Sequence, residues 1–169
     1  AYVQFLLERQ RVSDALEVLE PGVLAQPQDE DLRLLLASAL SERSRRLASE
    51  GAITLGMAAA RSAIAEVERI RERKEKWEGE ARKFQFHMMR ADALLLADRP
   101  EDALQECDEL AGSVDEARRA TYQVLRAQSL LALGRAPEAL LELRVLGSTE
   151  REQYRLLFAR AALLSNERD

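Results

Sequence analysis

The 169-residue chain contains one histidine, His87, and one cysteine, Cys107. Nucleophilic or general acid–base catalysis needs such groups held beside a partner in a pocket. His87 lies in a helical stretch with Phe84 and Met88, and no Ser or Cys motif adjoins it. A lone imidazole in that setting reads as a helix-packing residue. Cys107 lies within Leu104–Leu110, a Leu-Gln-Glu-Cys-Asp-Glu-Leu run. Its acidic neighbours disfavour the thiolate, so it reads as a small buried apolar residue. A single cysteine excludes an intramolecular disulfide, and one Cys with one His excludes a zinc finger. Asp98, Glu101, Asp102, Asp108 and Glu109 fall at turns and on outer helix faces, without the spacing of a calcium loop. Gly51 and Gly56 precede no Lys-Ser or Lys-Thr pair, so there is no phosphate-binding loop. The expectation is a protein that is not an enzyme, with no metal and no cofactor.

Charge divides the chain along its length. Overall there are 25 basic and 30 acidic residues, a net charge of −5. This balance argues against nucleic-acid binding. Residues 42–83 carry 11 basic and 8 acidic groups, whereas residues 84–119 carry 4 basic and 9 acidic. In the basic part signs alternate, and Glu72 and Lys76 form a helical i,i+4 pair. A solvated helix face explains the pattern, and an acidic partner is the sharper alternative. No apolar run reaches the roughly 18–20 residues of a membrane span. The chain opens at Ala1 directly in amphipathic sequence, which reads as a piece of something longer. Arginine outnumbers lysine 22 to 3, a bias that suits a high-GC bacterial genome; the sequence does not choose between bacterial cytoplasm and periplasm.

The elements that would carry these residues repeat. Arg90-Ala91 through Ala103-Leu104 and Arg126-Ala127 through Ala139-Leu140 align without a gap, and Leu6 to Leu16 fits the same pattern. Ala103 and Ala139 lie 36 residues apart, and Arg126-Ala127 and Arg160-Ala161 lie 34 apart. Ala15 lies 88 residues before Ala103, so an expanded unit stands between them. Each unit reads as two helices. Ser13-Asp14 is expected to open the second helix of the first unit, and Pro27 to end it. Pro100 and Pro137 sit in helical first turns, and Gly134 relieves the turn before one of them. Gly51 and Gly56 bracket a break in the expanded unit. Apolar residues recur at steps of three and four, which predicts helices near 1–10, 13–26, 30–48, 55–77, 80–97, 100–111, 115–133, 136–146 and 150–165. No stretch alternates in the manner of a strand.

This pattern resembles the tetratricopeptide repeat. Ala15, Ala103 and Ala139 match the small residue where the two helices of a unit cross. Leu6, Leu94 and Leu130 match the large residue of the first helix, and Ala91, Ala127 and Ala161 the small one. Pro27 matches the terminal proline. The family's tryptophan is replaced by His87 and Gln123. The resemblance implies an all-α fold, a right-handed superhelical array (α-solenoid) of antiparallel helix pairs, in which one expanded repeat has unusually long helices. Its units would be 1–29, 30–79, 80–115 and 116–149, with 150–169 as a further first helix or cap.

Such an array presents a concave surface lined by first helices. The resemblance places Gln4, Glu8, Asp31, Ser38 and Glu42 on it, then Gln85, Met88 and Asp92, then Thr121, Val124, Gln128, Arg155 and Phe158. The Lys, Arg and Asn clamp by which family members hold acidic chaperone tails is missing. Trp77 is a further candidate anchor, unless it packs as a core residue under the long hairpin. The expected function is a non-catalytic scaffold binding a peptide or protein segment in the groove or on the long helices. Two alternatives are an envelope, polysaccharide-assembly or secretion scaffold cut from a longer bacterial repeat protein, and the regulatory repeats of a transcription factor or signalling enzyme. Apolar stripes at the two ends would favour self-association.

Overall fold

A computed structural model describes residues 2–71, 79–147 and 154–166. Within them the chain is helical throughout and contains no strand. The nine described helices are α1 (Tyr2–Glu8), α2 (Val12–Ala25), α3 (Glu30–Ser49), α4 (Ile53–Arg71), α5 (Glu80–Leu96), α6 (Pro100–Asp108), α7 (Glu116–Ala132), α8 (Ala136–Arg144) and α9 (Arg155–Asn166). The expected extension of α4 to Trp77 and the Glu72–Lys76 pair lie outside the described residues. So does the expected start of the last helix at 150. The chain forms two compact units, Ala1–Asp98 and Arg99–Asp169. Their boundary falls between the two helices expected for residues 80–115.

One turn is used four times. Gln10, Gly51, Asp98 and Gly134 each adopt positive φ, at 58°, 83°, 60° and 71°. The amide of each donates to the carbonyl three residues back: Leu7 at 2.9 Å, Ala48 at 3.1 Å, Leu95 at 3.2 Å and Leu131 at 3.1 Å. The next amide reaches five residues back from Arg11 to Leu6 (2.9 Å), Ala52 to Leu47 (2.8 Å) and Arg135 to Leu130 (2.8 Å). This pair of bonds satisfies the last carbonyls of a helix and reverses the chain. A fixed distance beyond the left-handed residue stands a small buried one: Ala15, Gly56, Ala103 and Ala139. Gly56 therefore does not bracket a break. It lies inside α4, where an added Cβ would stand 2.9 Å from the Ser44 carbonyl oxygen and 3.4 Å from the Ala48 nitrogen. The expanded segment thus keeps the register of the shorter ones, with glycine in place of alanine and helices of 20 and 19 residues.

A second device marks three of these turns. Arg11, Arg99 and Arg135 occupy the N-cap positions of α2, α6 and α8 without a side-chain cap. Each instead pairs with a carboxylate in the first turn: Asp14, Asp102 at 2.7 Å and Glu138 at 2.6 Å. The expected opening of α2 by Ser13-Asp14 is corrected accordingly. The helix starts at Val12, and Asp14 serves Arg11 while favouring the positive helix end. α2 ends at Ala25, two residues before Pro27, but it also runs through Pro21, which is exposed and costs one backbone bond on the solvent side.

In the first unit α3 packs on α2, α4 and α5. Leu6, Leu19, Val67, Ile70, Phe86 and Leu94 are its largest fully buried apolar side chains. One polar group is built into this packing. Arg33, 5% exposed, donates through Nε and Nη2 to the Pro27 carbonyl (3.0 and 2.8 Å) and through Nη1 to Glu66. Glu66 also receives Arg69. The network ties the α2–α3 turn to α4. In the second unit α7 packs on α6 and α8, and α8 on α9. Its core joins Leu104, Leu130, Leu143 and Ala161, with Tyr154, Leu157 and Phe158 against it.

Candidate functional site

Helices α1, α3 and α5 of the first unit share an open groove of about 670 Å³. α1 contributes Gln4, Leu7 and Glu8, α3 contributes Asp31, Leu34, Leu35 and Ser38, and α5 contributes Arg82, Gln85 and Met89. Helical geometry explains the sets, because residues three and four apart share a face. Leu34, 2% exposed, belongs to the floor, and Gln4, Glu8, Asp31 and Gln85 are exposed around it. Arg82 spans two helices, lying 2.5 Å from Asp31 and 3.6 Å from Glu30. Further along the same faces, Arg45 binds Asp92 of α5 at 2.5 Å and Glu42 at 3.0 Å. Burial alone would lower the Arg45 pKa, but these two carboxylates outweigh it and the net shift is upward.

Five sequence-predicted residues meet in this groove: Gln4, Glu8, Asp31, Ser38 and Gln85. Glu42 and Asp92 continue its line through Arg45. Met88 does not line it. That side chain is 8% exposed and belongs to the core, and Met89, one position on, faces the groove. The expectation erred by a single residue, because adjacent methionines give the apolar pattern no means of choosing between faces. Val124, at 7% exposure, is likewise part of the second unit's core. Thr121 and Arg155 are exposed, Gln128 is half-buried, and Phe158 packs against that core. Trp77 lies outside the described residues. Five groove residues escaped the sequence reading: the floor residues Leu7, Leu34 and Leu35, and Arg82 and Met89 on α5. The three-residue step from Arg82 to Gln85 and the four-residue step to Met89 were the available signal.

A second hollow of about 440 Å³ lies between α2, α3 and α4. Leu36, Leu40, Leu47, Leu55, Ala58 and Ala59 line it, with Glu20, Arg43, Ser62 and Glu66 at its edge. Ile53 and Leu55 beside the α3–α4 turn are 55% and 61% exposed.

The two groups with chemical potential sit elsewhere. Cys107 is fully buried in α6, and its thiol is pushed up to about 12. Burial is the main cause; Arg126 opposes it, while Asp108, Glu106 and Glu142 add to it. His87 meets Phe86 edge-on, with ring centroids 5.3 Å apart. Among the described residues no three His, Cys, Asp or Glu side chains are grouped to hold a metal ion. No helix among them is long and apolar enough to cross a membrane.

No protein-family model, curated protein or solved structure matches the chain.

Proposed function

We propose that the chain is a tetratricopeptide-like, non-catalytic scaffold that holds a peptide or protein segment along the α1–α3–α5 face. On this reading the helix pairs stack as units of an α-solenoid. The observation that carries it is the convergence of Gln4, Glu8, Asp31, Ser38 and Gln85, from three separate helices, on one open groove. The fourfold turn with its small residue supports the repeat reading. An apolar floor with polar groups around it suits a ligand that buries alternate side chains and leaves the others wet.

The test is selection of binding peptides from an unbiased display library, followed by substitution of the groove. Ser38→Trp fills the groove from the middle of α3 and is expected to abolish binding of the selected peptides while the helical circular dichroism stays unchanged. Glu17→Trp, on the exposed face of α2, is expected to leave it intact. Full binding by Ser38→Trp would remove the groove as the working surface.

A further inference from the structure

We infer that the segment seated in this groove is cationic and apolar, carrying Lys or Arg side chains interleaved with Leu- or Met-like ones. The inference rests on the groove being the docking face, and three observations give the ligand its sign. First, the groove's one lining cation, Arg82, and Arg45 further along the same helices are already paired. Arg82 lies between Asp31 and Glu30, and Arg45 between Asp92 and Glu42. Each guanidinium thus meets two carboxylates, and neither is free to receive an acidic ligand. Arg46, at the far end of the line, is itself held by Glu50 at 2.9 Å.

Second, the remaining acid is uncommitted. Glu8 is exposed on α1, and among the described residues its carboxylate has neither an ion-pair nor a hydrogen-bond partner. The side-chain amides of Gln4 and Gln85 are in the same condition. A bound chain offers such groups what they lack: an ammonium or guanidinium for Glu8, backbone N–H and C=O for the amides. Third, Leu7, Leu34, Leu35 and Met89 supply an apolar floor, so charge alone does not satisfy the site. A purely basic chain would leave the floor wet, and an acidic chain would face Glu8 and Asp31. Like-charge juxtaposition of that kind rejects partners as effectively as attraction selects them.

Fluorescence anisotropy of two labelled probes tests this. One is a peptide of leucine, alanine and lysine, and the other has every lysine replaced by glutamate. The lysine probe is expected to bind and the glutamate probe not. The double variant Glu8→Gln/Asp31→Asn is expected to weaken the lysine probe by about three- to tenfold, a range typical of two exposed charge pairs. Glu17→Gln/Glu101→Gln changes net charge equally, but at exposed positions outside the groove, and is expected to change binding less than about twofold. Equal weakening by both variants would reduce the effect to net-charge attraction and overturn the inference. So would binding of the glutamate probe that perturbs groove resonances in an NMR titration, although the groove would then survive as the docking face. Perturbation of the α2–α4 hollow or of the second unit by every probe would instead remove the groove reading on which the inference stands.

Discussion

Two glycines show how one residue type serves two physical ends. Gly51 holds φ at 83° in open space, with nothing within 4 Å of a built Cβ. Gly51→Ala should therefore cost roughly 1–2 kcal/mol from backbone conformation alone. Gly56 is helical, and alanine there improves helix propensity by about 1 kcal/mol. Its Cβ would nonetheless press on the backbone of α3, and overpacking of that kind costs about 1–3 kcal/mol. The contact should win or cancel, so Gly56→Ala should not stabilise the protein in urea denaturation, unlike an alanine placed in an uncrowded helix. Cys107 yields a prediction at the same scale. Its raised pKa means that the folded state keeps a proton that the unfolded thiol releases. Stability is therefore complete below the unfolded value near 8.5–9 and falls as pH rises from there towards about 12. Burial raises the Tyr122 pKa in the same direction. Cys107→Ala should flatten part of the alkaline loss, although its smaller side chain lowers stability at every pH. In the native protein the thiol should react with a disulfide reagent only at the rate of unfolding.

At the scale of helices, the pattern was legible because apolar spacing and punctuation agree. Steps of three and four located all nine described helices, and Pro100 and Gly134 fixed two of their starts. What stayed hidden had no local signal. Gln10 and Asp98 adopt left-handed conformations that a glycine would advertise and they do not. The role of Arg11, Arg99 and Arg135 appears only when the turns are superposed, because an arginine before a helix has no capping preference to announce it. The Arg33–Glu66 pair joins residues 33 positions apart, beyond the reach of any periodicity. This pair gives a sharp test. Glu66→Ala leaves the buried Arg33 charge without its carboxylate and should cost about 3–5 kcal/mol. Arg33→Leu/Glu66→Leu should cost less than Glu66→Ala, since no buried charge remains. Denaturation followed by a probe confined to the first unit, such as amide exchange at Phe86 and Leu94, reads both values.

At the scale of the whole molecule, the proposed function rests on the groove shared by α1, α3 and α5. The groove was half legible. The sequence placed Gln4, Glu8, Asp31, Ser38 and Gln85 by analogy of register, and the structure brings them together in one unit. Met88 and Val124 failed because periodicity gives a face only to within about a residue. The pairing of Arg82 and Arg45 was not visible either, since it depends on which carboxylates each arginine meets. The measurement that bears most directly on the docking claim is an amide chemical-shift map of the protein titrated with library-selected peptides. The account predicts shifts concentrated at Gln4, Glu8, Ser38, Gln85 and Met89, with α2 and α4 unmoved. Shifts concentrated at Leu47, Leu55 and Ala58 would place the working surface on the opposite hollow and contradict it.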